Sequence, residues 1–243
     1  MSEAPRAATG VGGRLRAVRA RMEAAARRAG RTSGEITLIG ITKTMPVARI
    51  REAVEAGLTH LGENRVQEAD PKILELTSLK TGLTWHLVGH LQSNKARKAV
   101  ELFDWIQSIH DEKLAAALQR HAESLGKSRD ILVQVDLAGE ATKFGLPPES
   151  VAPLLRAMEA CPALRARGLM TIPPNADEPE ASRPYFRRLR ELRDALAAGG
   201  RDLPELSMGM TNDFEVAIEE GATMVRVGRA IFGEREAGPS GGA

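Results

Sequence analysis

Apolar runs of β-strand length alternate with amphipathic helical segments along almost the whole chain. Eight runs are predicted to be strands, and they are Ile36–Thr42, Leu58–Gly62, Trp85–Gly89, Trp105–Ile109, Ile131–Leu137, Ala166–Thr171, Glu205–Met208 and Met224–Gly228. Runs this short, apolar and bounded by turn residues are typical of buried strands. A helical pattern follows each of them; after the first run, Val47, Ile50 and Val54 form one apolar stripe.

Eight strand-then-helix repeats predict an α/β protein built as a single closed (β/α)8 TIM barrel. The competing fold is an open, doubly wound sheet, which usually has fewer strands and a glycine-rich turn after the first one. Here the first turn reads Thr42-Lys43-Thr44-Met45-Pro46 and has no such glycine pattern. Because no linker or shift in composition divides the chain, residues 11–235 are predicted to form one domain.

An extra helix is predicted before the first strand. Val11, Leu15, Val18 and Met22 recur at helical spacing, so we expect an amphipathic helix that covers one end of the domain. The first 30 residues are also rich in Arg and Ala, as organelle transit peptides are, but the helical spacing favours the structural interpretation. Residues 1–10 and 236–243 are expected to be frayed.

Composition excludes several classes of protein. Among 243 residues, 34 Lys and Arg nearly balance 32 Asp and Glu, which gives no case for nucleic acid as an obligate partner. No apolar run approaches the roughly 20 residues of a membrane span. The chain has one cysteine, Cys161, so it can form no internal disulfide. A cytoplasmic location fits that usage.

Lys43 is the first candidate for chemistry because it stands where the first strand ends. Active groups of these barrels lie at the carboxyl ends of the strands. Thr37, Ile39, Ile41 and Lys43 share one strand face, which directs Lys43 towards the barrel mouth. Partial burial lowers the pKa of a lysine, and a neutral amine can form a Schiff base with an aldehyde. The alternative is a solvent-exposed loop lysine.

Suitable phosphate-binding segments follow strands seven and eight, where many such barrels hold phosphate. Ser207 offers a hydroxyl, and Gly209 permits close backbone approach. The backbone N–H groups of Gly228 and Arg229 could hold an anion. Arg226 shares the inward parity of Gly228. It could form a salt bridge inside the barrel, or it could face a pyridine nitrogen and keep that nitrogen unprotonated.

The chain resembles the pyridoxal 5′-phosphate homeostasis protein family, which is related to the N-terminal barrel of alanine racemase. The matching segments are long and in order, and they cover about residues 11–235. They are Ile41–Pro46, Leu61–Arg65, Trp85–Lys95, Leu206–Met210 and Val225–Gly233. The tryptophan–histidine and Ser-Met-Gly-Met segments are the most specific of these.

The resemblance implies that pyridoxal 5′-phosphate (PLP) is held as an imine on Lys43. It also implies that Ser207, Gly228 and residue 229 hold the phosphate, that Arg226 faces the ring nitrogen and that Asn64 lies near the ring. The sequence departs from the family pattern at Arg229, where a threonine is common, so a hydroxyl contact is lost there. A second departure is Met210-Thr211-Asn212 in place of Met-Ser-Asp, where Thr211 keeps the hydroxyl.

A metal site is not expected. His86 and His90 are close in sequence, but no third ligand accompanies them, and the other histidines are scattered. His86 is expected to be a hydrogen-bonding residue inside the barrel, and Trp85 to pack in the core. Asn94 is predicted to cap the helix that follows it.

Two functions that use PLP remain open. One is a protein that buffers or delivers PLP, with PLP-dependent apoenzymes as possible recipients, and that acts as a monomer without robust turnover. The other is an amino-acid racemase-like enzyme, which needs acid/base groups on both sides of the ring. The lone tyrosine, Tyr185, lies far from the predicted strand ends, which favours the carrier. A Schiff-base aldolase for sugar phosphates is a third possibility.

Overall fold

The computed structural model describes residues 10–76, 82–139 and 144–234, and within them eight parallel strands close into a barrel. The strands are β1 (Thr37–Ile41), β2 (His60–Glu63), β3 (Thr84–Leu87), β4 (Trp105–Ile109), β5 (Arg129–Gln134), β6 (Leu164–Met170), β7 (Glu205–Ser207) and β8 (Met224–Val227). Each pairs with its sequence neighbours, and β8 pairs with β1. The predicted (β/α)8 barrel is therefore confirmed. The expected frayed ends lie outside the described residues, apart from Gly10.

Helices surround the barrel on its outer side. They are α1 (Val11–Arg28), α2 (Val47–Glu55), α3 (Val66–Leu76), α4 (Ala96–Leu102), α5 (Glu112–Ser124), α6 (Pro148–Ala157), α7 (Arg183–Ala198), α8 (Phe214–Glu219) and α9 (Arg229–Phe232). Their apolar faces pack on the sheet, and Phe103, Phe186, Phe214 and Phe232 are the largest side chains of this fully buried layer. None of the helices in these ranges is long and apolar enough to cross a lipid bilayer.

The N-terminal helix exists as predicted, but it lies beside the barrel and not across one end. Arg21 and Arg28 of α1 pair with Glu215 and Glu219 of α8, so the two helices lie side by side. The helix also contacts α2 and α9. Since α9 has a single turn, α1 fills the place in the outer ring between α8 and α2. The buried face of α1 is the predicted one.

Two predicted helix caps are wrong. Asn212 and Glu215 stand at capping-box spacing in the sequence, which predicts a cap at Asn212, but α8 begins one residue later, with Asp213 at the capping position. Asn94 lies within a 3₁₀ turn, Ser93–Lys95, that precedes α4. In both places a tight turn is inserted between strand and helix, and such turns have no hydrophobic periodicity that marks their ends.

The interior of the barrel is partly apolar and partly polar. Ile39, Leu132, Met170 and Met224 form its apolar cluster. Beside them a continuous chain of hydrogen bonds crosses the interior and joins five side chains from five strands. These are His60, His86, Gln107, Ser207 and Arg226. All but His60 are buried, so their polar groups are satisfied by one another and not by solvent.

The donor-to-acceptor direction of these interior hydrogen bonds defines the tautomers of two histidines. Ser207 donates to Gln107 Oε1 at 2.7 Å, so the amide nitrogen of Gln107 donates to His86 Nδ1 at 3.0 Å. His86 Nε2 then carries the proton and donates to His60 Nδ1 at 3.0 Å. Burial, with the neighbouring His60, lowers the pKa of His86 well below its ordinary value. The predicted interior hydrogen-bonding role of His86 is confirmed.

We expect His86 to make the protein sensitive to acid. A histidine that stays neutral when folded takes up a proton on unfolding, so stability is full above about pH 6.5 and falls as the pH drops below it. His86→Gln should flatten the decline in melting temperature between about pH 6.5 and 5. Thermal melts across this range measure the slope. His121→Gln on the outer helix α5 is the matched control, and equal slopes in all three proteins would contradict the expectation.

Candidate functional site at the barrel mouth

Two adjoining cavities open at the carboxyl ends of the strands. The first has a volume of about 350 Å³, and Lys43, Asn64, His90, Phe144 and Arg226 are among its lining residues. The second has a volume of about 360 Å³ and is lined by Lys43, Thr211, Gly228 and Arg229, again with Arg226. Because Lys43 and Arg226 line both cavities, the two form one continuous site. Each volume suits a small organic molecule.

Lys43 is half-buried and follows the end of β1 by two residues. The preceding residue, Thr42, still continues the sheet, since its N–H donates to the Gly62 carbonyl at 2.9 Å. The chain then turns sharply, and Thr44 adopts a φ of 63°, the left-handed region that non-glycine residues rarely occupy. The predicted orientation of Lys43 towards the mouth agrees with its place in both cavities.

Arg226 is the buried cation of the site. Its Nη1 donates to Ser207 Oγ at 2.6 Å and its Nη2 to the Thr171 carbonyl at 2.8 Å. Burial lowers its pKa to about 10, against the opposing influence of Asp213, so the guanidinium is still charged at neutral pH. With its guanidinium fixed on the barrel side, Arg226 presents a pre-positioned positive charge to both cavities.

Ser207 lies deeper than its predicted role requires. It is fully buried at the end of β7, and its hydroxyl is already engaged by Arg226 and Gln107. It is absent from the residues that line either cavity. The hydroxyl that does line the second cavity is that of Thr211, four residues further along the same loop.

The loop after β7 is shaped by Gly209. Its φ of 90° is unfavourable for other residues, and a Cβ there would lie 2.5 Å from the Ala217 Cβ. Asp213 closes the loop by accepting from the Met210 N–H at 2.7 Å and from the Ser182 hydroxyl at 2.9 Å. This closure brings Thr211 to the rim of the second cavity. The close approach at Gly209 is thus to α8, and Gly209 is not among the residues that line either cavity.

The remaining predicted residues also reach the site. Gly228 follows β8, and Arg229 beside it is exposed. Asn64 follows β2 and is partly buried. A Cβ on Gly89 would lie 2.3 Å from the Asn64 carbonyl oxygen, so the absence of a side chain at Gly89 allows these two loops to meet. Five of the six predicted site residues therefore line the joined cavities.

Sequence reasoning missed an aromatic wall. The ring of Phe144 stacks on His90 with centroids 3.6 Å apart, and both rings line the first cavity. Burial, reinforced by His110, lowers the pKa of His90, which favours its neutral form. Phe144 is 53% exposed, an unusual state for a phenylalanine. The sequence held no signal for it, because it lies in a loop outside every periodic segment.

In the part of the chain that the structure describes, no group of three or more His, Cys, Asp or Glu side chains could hold a metal ion. His86 is engaged with Gln107 and His60, and His90 with Phe144. The joined cavities are lined by two arginines and a lysine beside two carboxylates, those of Asp136 and Asp213. The excess of cationic groups suits an anionic ligand with a carbonyl group better than a cation.

Comparison with known proteins gives consistent matches over the whole barrel. The family described as alanine racemase, N-terminal domain, matches residues 14–236. A pyridoxal phosphate homeostasis protein of Aquifex aeolicus is 45% identical over 224 residues, which are 92% of this chain and 97% of the relative.

Solved structures also match this chain. PipY of Synechococcus elongatus PCC7942, in its structure with PLP bound, has a TM-score of 0.81 and 41% identity, and covers 92% of this chain and 100% of its own. An alanine racemase of Clostridium difficile 630 has a TM-score of 0.69 at 18% identity, covering 94% of this chain and 58% of its own, which shows a shared fold alone. The chain therefore belongs to the pyridoxal phosphate homeostasis protein family, and its barrel is that of the alanine racemase N-terminal domain.

Proposed function

We propose that this protein binds pyridoxal 5′-phosphate and buffers or delivers it, with the cofactor held as a Schiff base on Lys43. The observation that carries the proposal is the pair of joined cavities that share Lys43 and Arg226. The relative PipY was solved with PLP bound, which supports the same ligand here. In the condensation, Lys43 Nζ forms a C=N bond with the aldehyde carbon and one water is released, so no oxidant or reductant is needed.

The residues present fit the cofactor. In the proposal, the first cavity takes the ring, next to Asn64, with Arg226 at the ring nitrogen. The second cavity takes the phosphate, next to Thr211, Gly228 and Arg229. Ser207 contributes through Arg226, whose guanidinium it holds. Backbone N–H groups, a hydroxyl and an arginine are the usual partners of a phosphate.

Arg226 also bears on whether the protein turns over amino acids. When bound, PLP supplies an electron sink, and a permanently cationic arginine at its nitrogen weakens that sink because it does not transfer a proton to the ring. Racemisation further needs a second acid/base group opposite Lys43. Tyr185 is in the first turn of α7 and packs against the hydrophobic core. These points support the carrier over an enzyme.

The racemase-like alternative rests on one specific observation. The His90 imidazole lines the same cavity as Lys43, and its lowered pKa leaves it neutral near pH 7, so it could act as a base. The carrier is still the better supported function, since His90 is stacked on Phe144 and its Nδ1 has no hydrogen-bond partner among the described residues. We further infer a cytoplasmic monomer that passes PLP to PLP-dependent apoenzymes, without a nucleic-acid or membrane partner.

The first prediction concerns the attachment residue. Treating the PLP-loaded protein with borohydride should reduce the C=N bond and leave a stable pyridoxyl group on Lys43, which peptide mass spectrometry locates. Lys43→Met should abolish the label and the visible absorption band of the imine. Lys98→Met on α4, which removes a surface ion pair with Asp70, should keep both. A label on another lysine in the unaltered protein would refute the assignment.

The second prediction concerns the phosphate. Arg229→Ala should weaken binding of PLP by about two- to fivefold, as expected for an exposed charge pair, and the loss should shrink at high salt. Binding of pyridoxal, which has no phosphate, should be unchanged. Fluorescence or absorbance titrations measure both affinities. Arg97→Ala on α4 is the control, and equal losses for the two ligands would show that Arg229 does not face the phosphate.

The third prediction separates carrier from enzyme. Incubation of the PLP-loaded protein with single L-amino acids should yield no D-enantiomer above the level of free PLP, as judged by chiral chromatography. The physical reasons are a ring nitrogen that Arg226 keeps unprotonated and a His90 ring that is stacked on Phe144. Sustained racemisation that disappears in both Lys43→Met and His90→Gln would instead establish the enzyme, with His90 as the second group.

A further inference from the structure

A buried charged cluster lies directly behind the turn that carries Lys43. Its centre is Lys72 of α3, which is 8% exposed. Lys72 Nζ donates to the Glu63 carboxylate at 2.7 Å, to the Glu68 carboxylate at 3.2 Å and to the Thr42 carbonyl at 2.8 Å. An ammonium group has three hydrogens to donate, so Lys72 is fully used.

The cluster holds the residues on both sides of Lys43. On one side, Thr42 is held by its carbonyl, which accepts from Lys72, and by its hydroxyl, which donates to Glu63 Oε1 at 2.7 Å. On the other side, the Thr44 N–H donates to Glu68 Oε1. Lys72 joins these two anchors through Glu63 and Glu68. The backbone on both sides of Lys43, at Thr42 and Thr44, is thus held by hydrogen bonds to one cluster.

The anchored turn is one that the chain does not adopt readily. Thr44 has a φ of 63°, where most residues with a side chain are disfavoured, and the bond from its N–H to Glu68 fixes it there. A second bond, from the Met45 N–H to the Thr42 carbonyl at 3.0 Å, spans the same turn, so without the Glu68 bond the turn is held through Thr42 alone and can relax. Such a relaxation would rotate the Cα–Cβ bond of Lys43 and move its amine relative to Arg226.

Burial of the charged groups of the cluster carries a penalty in folding free energy. Burial raises the pKa of Glu63, although the bonds from Lys72 and Thr42 oppose the shift, and Glu63 Oε2 has no hydrogen-bond partner in the described part of the chain. Burial also disfavours ionisation of Glu68, but the bonds from Thr44 and Lys72 outweigh it and lower the pKa. An apolar cluster could stabilise the fold without an unpartnered carboxylate oxygen.

Neither Glu63 nor Lys72 lines the two joined cavities, so neither contacts a ligand there. Both act on the site through the backbone on either side of Lys43. We propose that Lys72, Glu63 and Glu68 are positioning residues, which hold the Lys43 turn so that its amine is placed for condensation with an aldehyde. This inference rests on the proposed Schiff base at Lys43.

The experiment compares variants that release each anchor. Glu68→Ala removes the acceptor of the Thr44 N–H, while Glu68→Gln keeps an acceptor oxygen and is the conservative rescue. Lys72→Met combined with Glu63→Gln removes the two most buried charges together and leaves only Glu68, whose side chain is 29% exposed. Lys98→Met, a surface lysine on the neighbouring helix α4, is the matched control. Circular dichroism and melting temperature show that each variant is folded.

Two readouts are measured on protein freed of carbonyl ligands with hydroxylamine. The first is the rate constant for growth of the imine band after mixing with PLP. The second, independent of any ligand, is amide hydrogen exchange at Thr44. We expect Glu68→Ala and the double variant to slow imine formation by about 10- to 100-fold, the effect of misplacing a reacting group by about 1 Å. Thr44 exchange should be faster in Glu68→Ala, and Glu68→Gln and Lys98→Met should be close to the unaltered protein.

The possible failures are distinguishable. Unchanged imine rate constants in the anchor variants, beside normal labelling of Lys43 in the unaltered protein, would overturn the positioning role and leave the proposed function intact. The same role would be overturned by variants that lose melting temperature but not rate, because the cluster would then be purely structural. An unaltered protein that gives no label on Lys43 would overturn the proposed function and this inference together.

Discussion

The parallel pairing of the first strand with the last is the constraint on which the site depends. β1 and β8 pair in a register that places Ile39 opposite Arg226, and this pairing closes the barrel. Lys43, four residues beyond Ile39, and Arg226 therefore reach the same mouth although 183 positions in sequence separate them. The helices that follow β7, β8 and β1, which are α8, α9 and α2, all contact α1. A barrel that failed to close would separate the amine from the buried cation.

The polar interior explains how a cation can be kept at the base of that mouth. Arg226 can only donate hydrogen bonds. Ser207 accepts from Arg226 and donates to Gln107, and Gln107 donates to His86, so the bonds run in one direction across the barrel. Every member has a partner, so the charge is buried without stranded polar groups along the chain. Under the proposed function, the same fixed guanidinium would face the pyridine nitrogen, so retention of the cofactor and weak catalysis would have a common structural cause.

Hydrophobic periodicity and strand parity predicted the position of a residue correctly where its surroundings follow from its own strand. They placed Lys43 and Arg226 at the mouth, His86 in the interior and Trp85 in the core. They were unreliable where loops decide, as at the caps expected from Asn94 and Asn212. Ser207 shows a subtler difference. Its hydroxyl was predicted to hold the phosphate, but its depth was not predicted, because depth depends on side chains from β4 and β8 that bind its hydroxyl.

The amino-acid sequence by itself determined the eight strand–helix repeats, the closed barrel and the amine at the end of the first strand, because hydrophobic period and strand parity are local properties. The resemblance of its motifs added the family and the cofactor. Tertiary structure alone decided the side-by-side packing of α1, the stacking of Phe144 on His90, and the cluster of Lys72, Glu63 and Glu68 behind Lys43. Those features join residues from separate elements, and their contacts exist only after the barrel closes.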